Sequence, residues 1–424
     1  MIFFTLSQSI TIKLADGTVI KYNEEKNQNE ISSVNVYCAS FDELQSIKNF
    51  LKKRKKNKIK IIQEDLVKAY KSFPRELGIK NKEYNLLDSK NLLLKFSEDK
   101  SFFLNETFQN LSAELASKKE GIKVLLFSGL GRNIGEMISA FPALKILSFY
   151  LNKKYKVLRF DACLEASDNT FYFRDKQILS TQNYINDIFP MACSMKKILE
   201  YDFYFDMGSL DKLAFYKSLG FVDTYLHKFG FDYKKIPDKF KQNEINIASY
   251  KPENRLKELL EKEKKHSKLL LFHPFSADGA RSMSQAGASV LLKKLLKQNL
   301  DFKIFTILNI GTFKDKEVLN LEKFSKSAFD FFYLISQADA IVCVDTATYH
   351  IAEGFLIPSL VFFTDKDYEK RIKYYNFTEP YYLKPSLKNF ARTNYDDGTF
   401  SLAKLDMWNN IKIKKILNFL RLNT

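Results

Sequence analysis

From Gly121 onward, short apolar runs alternate with longer amphipathic stretches, and this alternation constrains the fold more than any other feature of the sequence. The runs at Lys123–Ser128 and Leu269–Phe272 each predict a strand that is buried on both faces. Helical patterns and further strands follow each run, which is typical of parallel sheets with helical crossovers. Two such series in tandem predict two α/β lobes, with ligand sites in a cleft at the carboxyl ends of the strands.

The chain of 424 residues is longer than one hydrophobic core usually organises, so several domains are expected. A polar stretch with two prolines, residues 235–265, predicts a linker between the two lobes. A hairpin, a further strand and an amphipathic helix at the N-terminus predict a small α+β accessory domain. The predicted domains are the accessory domain 1–118, the first lobe 119–250, the second lobe 251–400 and a C-terminal helix in 401–424 that crosses back to the first lobe.

The net charge of +17 favours anionic partners such as phosphates, nucleotides or an anionic membrane surface. Only Lys52–Lys60 forms a dense basic run. A solvated helix end explains that run better than a nucleic-acid patch, because no aromatic platform accompanies it. We therefore expect no nucleic-acid partner.

Four cysteines and four histidines are too few and too scattered for a structural zinc site. Cys38, Cys163, Cys193 and Cys343 form no C-x-x-C pair, and isolated cysteines are typical of a reducing compartment. The N-terminus lacks the basic start of a signal peptide, and we find no apolar window of membrane-spanning length. The sequence therefore predicts a cytoplasmic protein whose membrane contact, where present, is peripheral.

The first motif, GLGRNIGE at Gly129–Glu136, follows a predicted strand and opens a predicted helix. Glycines such as Gly131 and Gly135 let the backbone approach a ligand, and the N-terminus of a helix attracts anions. One interpretation is the dinucleotide-binding turn of an oxidoreductase, with Asp161 at the end of the next strand as the ribose partner. The other is a tight strand–helix turn that binds nothing.

The second motif, HPFSADGARS at His273–Ser282, begins where a predicted buried strand ends. The hydroxyl of Ser276 and the planar guanidinium of Arg281 on one loop can hold a diphosphate. Taken alone, the motif is better described as a polar surface loop.

The third motif, VDTATYHIAE at Val344–Glu353, also joins a strand to a helix. We expect Thr346 or Thr348 to cap that helix, leaving first-turn N–H groups to bind phosphate. His350 lies one turn further on, and it is either functional or a histidine buried between the lobes.

Taken together, the chain from about Lys123 to its end resembles glycosyltransferase family 9, the ADP-heptose heptosyltransferases of bacterial surface glycan synthesis. Three stretches carry the resemblance: IGEMISAFPALKIL at Ile134–Leu147, FHPFSADGARSMS at Phe272–Ser284, and ADAIVCVDTATYHIAEGFLIPSLVFF at Ala338–Phe363. The third is the most specific, and the first 118 residues lie outside the resemblance.

The resemblance implies a GT-B fold, in which two Rossmann-like lobes face a cleft and the acceptor lobe precedes the donor lobe. It implies inverting, metal-independent transfer of a hexose or heptose, with a nucleotide-diphospho-sugar as donor and no further cofactor. The implied catalytic residues are Glu136, as the base, and Arg281, which neutralises the leaving diphosphate. The implied donor-binding residues lie in Asp345–His350 and are Asp345, Thr346, Ala347, Thr348 and His350. The first and second motifs by themselves add Gly131, Gly135 and Ser276 as candidate donor-binding residues.

We therefore expect a glycosyltransferase that uses ADP-heptose to modify an anionic surface glycan, as in lipopolysaccharide biosynthesis, or a protein. The chain has Glu136 where the family usually has Asp, and Ala347 where it has Gly. These departures keep open a catalytically inactive relative that acts as a binding or scaffold protein. The dinucleotide-binding oxidoreductase remains the other alternative.

Overall fold

The chain divides into two compact units, Met1–Phe240 and Lys241–Thr424. The predicted domain boundaries after residues 118 and 400 lie outside the described residues. The computed structural model describes residues 1–14, 17–25, 34–52, 58–63, 67, 72–79, 121–131, 133–167, 171–208, 210, 214–298, 300–311, 313–314, 316–384, 407–408 and 410–423.

The first unit contains an antiparallel sheet, a hairpin and a parallel sheet. Its described strands are β1 (Ile2–Leu6), β2 (Ile10–Lys13), β3 (Val19–Tyr22), β4 (Tyr37–Ala39), β5 (Ile59–Ile62), β6 (Arg75–Glu76), β7 (Ile122–Phe127), β8 (Val157–Leu164), β9 (Ile188–Pro190), β10 (Cys193–Ser194) and β11 (Phe203–Asp206). Its described helices are α1 (Phe41–Lys52), α2 (Ile134–Lys154), α3 (Tyr172–Leu179), α4 (Met195–Ile198), α5 (Ala214–Ser218) and α6 (Phe221–Lys228).

The parallel sheet of the first unit has the strand order β6–β11–β7–β8–β9, and every pair in it is parallel. The central strand β7 is the predicted apolar run, and its side chains are almost all buried because helices cover both faces of such a sheet. Helix α2 forms the crossover to β8 and packs against α6. The sequence therefore predicted this βαβ unit correctly.

Helix α2 is the one described helix that is long and apolar enough to cross a membrane by length and composition. The sequence-based expectation that the chain has no such stretch is therefore wrong. Most of this stretch is buried inside the first unit, and Phe141, Leu144 and Leu147 are inaccessible to solvent or nearly so. Its apolar character is that of a helix packed inside a core.

The N-terminal segment shares a sheet with β10, which lies between the parallel strands β9 and β11 in the chain. This antiparallel sheet has the order β10–β4–β1–β5, in which Cys193 of β10 lies opposite Cys38 of β4. The predicted hairpin is present, since β2 pairs with β3 and Ile12 lies opposite Ile20. Strands β1, β4 and β5 of the N-terminal segment therefore share one sheet with the strand at Cys193–Ser194.

The second unit is built on a six-stranded, all-parallel sheet. Its described strands are β12 (Lys268–His273), β13 (Phe302–Thr306), β14 (Val318–Asn320), β15 (Ala340–Val344), β16 (Ser359–Phe363) and β17 (Thr378–Tyr382). Its described helices are α7 (Asn254–Lys264), α8 (Gln285–Leu296), α9 (Ala328–Ser336), α10 (Ala347–Gly354), α11 (Tyr368–Arg371) and α12 (Ile413–Leu422). The strand order is β14–β13–β12–β15–β16–β17.

Two parallel sheets with helical crossovers confirm the α/β fold class and its two Rossmann-like lobes. The predicted linker is wrong in part, because its second half forms α7, which buries Leu256 and Leu260 and packs against β12. Helix α12 buries Ile416, Phe419 and Leu420 in the core of the second unit. Its predicted crossing to the first lobe stays a prediction.

Candidate functional site

Loops from four neighbouring strands of the second unit meet at one edge of its sheet. Strands β13, β12, β15 and β16 are consecutive in the sheet and parallel, and they end at Thr306, His273, Val344 and Phe363. The second and third sequence motifs begin at two of these ends. In open parallel sheets this edge is the usual ligand-binding edge.

The carboxylate of Asp345, directly after β15, is the centre of a charged cluster at this edge. Its Oδ2 atom lies 3.0 Å from Nη2 of Arg371 and 3.4 Å from Nη1 of Arg281. Its Oδ1 atom accepts a hydrogen bond of 3.2 Å from the Tyr349 hydroxyl. Only 2% of the Asp345 side chain is exposed, so this carboxylate depends on these partners for its charge.

Each arginine of the cluster also contacts a second carboxylate. Nη2 of Arg371 lies 3.0 and 2.9 Å from the two carboxylate oxygens of Asp365, and Nε of Arg281 lies 3.1 Å from Asp278. Burial acts to lower the pKa of both guanidiniums, but Asp345 and these second carboxylates raise it by more. Both side chains are therefore held positively charged. Nε of Arg371 is buried and has no hydrogen-bond partner among the described residues.

The first turn of α10 has no side-chain cap. Thr346 occupies the cap position with extended backbone, but its hydroxyl makes no capping bond. Thr348 is fully buried, and its hydroxyl instead bonds Nδ1 of His273 at 2.5 Å. The expectation that Thr346 or Thr348 caps the helix through its side chain is therefore wrong. The N–H groups of this turn, Ala347 included, keep the partial positive charge that attracts anions.

His350 is a buried histidine of the second unit. Its Nδ1 atom bonds the Tyr375 hydroxyl at 2.6 Å, and only 5% of the residue is exposed. Burial first, and then the charges of Arg371 and Arg281, lower the pKa of His350 to about 3. The ring is therefore neutral at neutral pH, where it can position a neighbour but cannot supply a proton from an imidazolium.

The loop after β12 is organised by its own side chains. The hydroxyl of Ser276 accepts from the Asp278 amide at 3.3 Å, and the Ser276 amide donates to the Ser282 hydroxyl at 3.2 Å. Oδ1 of Asp278 accepts from the Ala280 amide at 2.8 Å. These turns place Arg281 beside Asp345, while the Ser276 side chain bonds within the loop.

A separate pocket of about 440 Å³ opens beside the ends of β13 and β14. Its lining combines amide and hydroxyl groups with apolar side chains, and it carries no charged residue among those described. The lining residues are Gln285, Leu292, Thr306, Asn309, Ile310, Gly311, Phe313, Val318 and Asn320. Neutral polar groups on an apolar floor suit a ligand of the size of a base or a ribose.

The first unit has a larger pocket of about 710 Å³ at the carboxyl ends of β7, β8 and β11. The first sequence motif forms one side of it and α1 another. The lining residues are Asp42, Glu43, Gln45, Ser46, Asn49, Ser128, Gly129, Leu130, Gly131, Asn133, Glu136, Met137, Leu164, Glu165, Phe171, Asp175, Met207, Leu210, Tyr216 and Tyr225.

Glu136 lies in the first turn of α2, half-buried, and lines this pocket. Gly131 has a φ of +113°, and a Cβ there would lie 2.8 Å from Cβ and 2.9 Å from Oε2 of Glu136. The glycine therefore gives the Glu136 side chain the space it occupies. Gly135 belongs to the helical turn, where its carbonyl accepts from the Ser139 hydroxyl at 2.7 Å, and it is outside the pocket lining.

Asp161 is not at a strand end, contrary to the sequence-based interpretation. Strand β8 continues to Leu164, so Asp161 lies inside the strand and is fully buried. Its Oδ2 atom accepts from the Tyr201 hydroxyl at 2.6 Å and forms an ion pair with Arg159. This removes the ribose partner that the dinucleotide interpretation requires.

The sequence analysis missed Arg371 and, apart from Glu136, the acidic residues that surround the first-unit pocket. A signal for Arg371 exists, because it follows the buried strand β16 closely and Asp365 stands between them. For Glu43 and Glu165 no local signal exists, since distant segments bring them together. Within the described ranges, no group of three or more His, Cys, Asp or Glu residues could hold a metal ion.

Comparisons with known proteins give likenesses of structure only. No protein-family model and no curated protein matches the chain. Among solved structures, ADP-heptose lps heptosyltransferase II of E. coli is similar with a TM-score of 0.48 and 12% identity, over 71% of this chain and 98% of that one. A glycosyl transferase family 9 protein of Veillonella parvula has a TM-score of 0.46 and 10% identity, over 71% of this chain and 97% of that one. The iron-containing dodecameric glycosyltransferase TibC of enterotoxigenic E. coli has a TM-score of 0.46 and 11% identity, over 72% of this chain and 79% of that one. At these values the likenesses assign no residue role to this chain.

Proposed function

We propose that the protein is an inverting glycosyltransferase that uses a nucleotide-diphospho-sugar, with ADP-heptose as the favoured donor. The observation that carries this proposal is the pair of guanidiniums, Arg281 and Arg371, on the carboxyl edge of a parallel sheet beside the uncapped start of α10. Two planar forks and a helix N-terminus are complementary to the two phosphates of a diphosphate. The family resemblance of the sequence motifs supports the same proposal.

The diphosphate and the nucleoside of the donor occupy neighbouring parts of this edge. Neighbouring strands lie about 4.8 Å apart, so Asp345 after β15 and Thr306 at the end of β13 are about 10 Å apart across β12. One nucleoside diphosphate can reach both. The base and ribose then fill the 440 Å³ pocket, and the arginines contact the phosphates.

In the transfer step, the arginines neutralise the charge that develops on the leaving diphosphate. Glu136 accepts the proton of the attacking acceptor hydroxyl, and the displacement inverts the configuration of the anomeric carbon. The chemistry needs no metal, because guanidinium groups supply the positive charge. The acceptor is a glycan or a protein, and we propose that transfer occurs in the cytoplasm, with peripheral membrane contact for a lipid-linked acceptor.

A thermal-shift screen with ADP-, UDP-, GDP- and CMP-sugars tests the donor proposal, with NAD as a further arm. A ligand that binds only the native state raises the melting temperature according to its affinity. We expect ADP-sugars to give the largest rise in buffer with a chelator, and Arg281→Ala to reduce that rise. A rise with NAD alone, or with no nucleotide sugar, would contradict the proposal.

A further inference from the structure

We propose that the N-terminal segment belongs to the substrate site, where α1 forms a wall of the 710 Å³ pocket that selects an uncharged, polyhydroxylated sugar as acceptor. This inference rests on the proposed glycosyl transfer for the role of that sugar, although binding of the sugar can be measured by itself. It gives residues 41–52 a function, and it replaces the sequence-based expectation of an anionic acceptor.

One face of α1 is turned toward the pocket and the other toward a hydrophobic core. Asp42, Gln45, Ser46 and Asn49 line the pocket, and their spacing of three, four and seven residues places them on one helical face. On the other face Leu44, Ile47 and Leu51 are buried, as the hydrophobic period predicts. A polar face along a pocket suits recognition of a polar ligand.

Hydrogen bonds fix α1 to the loop that follows β8. The carboxylate of Glu43 accepts from the Ala166 amide at 2.8 Å and from the Ser167 amide at 3.0 Å, and the Ser167 hydroxyl also donates to it. Just before the helix, the Ser40 hydroxyl donates to Glu165 at 2.7 Å. Side chains of α1 and of the loop after β8 line the same pocket. The hydrogen bonds between these two segments therefore fix the position of α1 relative to the other pocket walls.

The charge of the lining argues against an anionic acceptor group. Five of the lining residues are carboxylic acids, and none of the described lining residues is Lys or Arg. The acids are Asp42, Glu43, Glu136, Glu165 and Asp175. Burial raises the pKa of Glu43 to about 7, and Arg174 lies 2.6 Å from Asp175, so the negative potential comes mainly from the other three carboxylates. This potential discriminates against a phosphate or carboxylate, even in a chain with a net charge of +17.

The other lining groups suit the hydroxyls and the apolar faces of a sugar ring. The side chains of Gln45 and Asn49 make no hydrogen bond to another described residue, so each offers a donor and an acceptor to a hydroxyl group. Phe171, of which 55% is exposed, and the rings of Tyr216 and Tyr225 supply apolar surface. The volume of about 710 Å³ is in the range of small-molecule sites.

Saturation-transfer NMR on the full chain tests this inference with four methyl hexosides: the neutral sugar, its 6-phosphate, the uronic acid and the 2-amino sugar. We expect the neutral sugar to bind at least tenfold more tightly than the phosphate and the uronic acid. In Gln45→Ala/Asn49→Ala, loss of two hydrogen-bonding groups should weaken its binding about tenfold. Lys52→Ala is the matched control, since Lys52 is exposed on the same helix and outside the lining, and it should bind normally.

Equal or tighter binding of the phosphate or uronic acid overturns the inference, as does tightest binding of the amino sugar. Normal neutral-sugar binding in the double variant also overturns it, because α1 would then have no part in recognition. Nucleotide binding, measured in parallel with ADP, separates this inference from the proposed function. Neutral-sugar binding without ADP binding would refute the donor proposal alone, and ADP binding without neutral-sugar binding would refute this inference alone.

Discussion

The two arginines on Asp345 are expected to differ in their contributions to stability. Arg371 is the more deeply buried, with 16% of its side chain exposed against 34% for Arg281, and it lies closer to the carboxylate. Arg371→Ala leaves the buried charge of Asp345 with a single guanidinium at 3.4 Å. Arg281→Ala leaves the shorter ion pair to Arg371 intact. We therefore expect Arg371 to contribute more than Arg281 to holding Asp345, although both face the donor site.

The expected magnitude follows from the burial of the pair. Removal of one partner from a fully buried ion pair costs about 3–5 kcal/mol, and the remaining Arg281 reduces this to about 2–3 kcal/mol for Arg371→Ala. Arg281→Ala should cost less than about 1 kcal/mol, because solvent screens a group that is one-third exposed. In Arg371→Ala, a second change Asp345→Asn should restore part of the lost stability, since it removes the uncompensated charge.

Urea unfolding followed by tryptophan fluorescence measures these differences. Trp408 is the single tryptophan of the chain and lies in the core of the second unit, so it reports unfolding of that unit. The midpoint should fall for Arg371→Ala without a change in the slope. Arg255→Ala, on the exposed face of α7, is the control and should change stability by less than about 0.5 kcal/mol. Equal losses for Arg371→Ala and Arg281→Ala would refute this expectation.

Three further predictions concern the first unit. Glu136→Gln should lower turnover by about 10²–10⁴-fold while nucleotide binding survives, and normal turnover in a transfer assay would mean that the base lies elsewhere. Gly131→Ala should lower turnover comparably, because a Cβ there meets the Glu136 carboxylate at 2.9 Å, and a fully active variant would contradict that packing. Burial raises the pKa of Glu43 from 4.5 to about 7. The Glu43 carboxyl of the folded state therefore binds a proton more tightly than that of the unfolded chain. Its contribution to the free energy of unfolding should be fully present below pH 4.5. This contribution should fall by about 3 kcal/mol as the pH rises to above 7. Glu43→Gln should lose this part of the pH dependence in unfolding followed by circular dichroism, and an unchanged pH profile would contradict it.

The sequence predicted the buried central strands of both parallel sheets because such strands are continuous apolar runs. The strands β7 and β12 begin and end within a residue of the predicted runs Lys123–Ser128 and Leu269–Phe272. Short or polar elements escaped this pattern. Strand β6 has only Arg75 and Glu76, and it is a strand because its backbone pairs with β11.

The site was predictable where its residues lie on loops that directly follow buried strands. Arg281 and Asp345 came from strand ends that adjoin in a parallel sheet, and the structure brings them together in the second unit. The α1 wall depends on tertiary contacts that no local pattern encodes, whereas Arg371 follows the buried strand β16 and was overlooked. The misplacement of Asp161 has a similar cause, since β8 is longer than its apolar run and pairing with β7 and β9 extends it.

Hydrogen–deuterium exchange of the full chain with and without ADP tests the central claim most directly, because it shows where the nucleotide binds. The account predicts that ADP slows exchange in the peptides that cover His273–Ser282, Thr306–Asn320 and Asp345–His350, and that Arg281→Ala weakens this protection at a fixed ADP concentration. Protection confined to Gly129–Glu136, or none at saturating ADP, would contradict the claim that the second unit binds the donor.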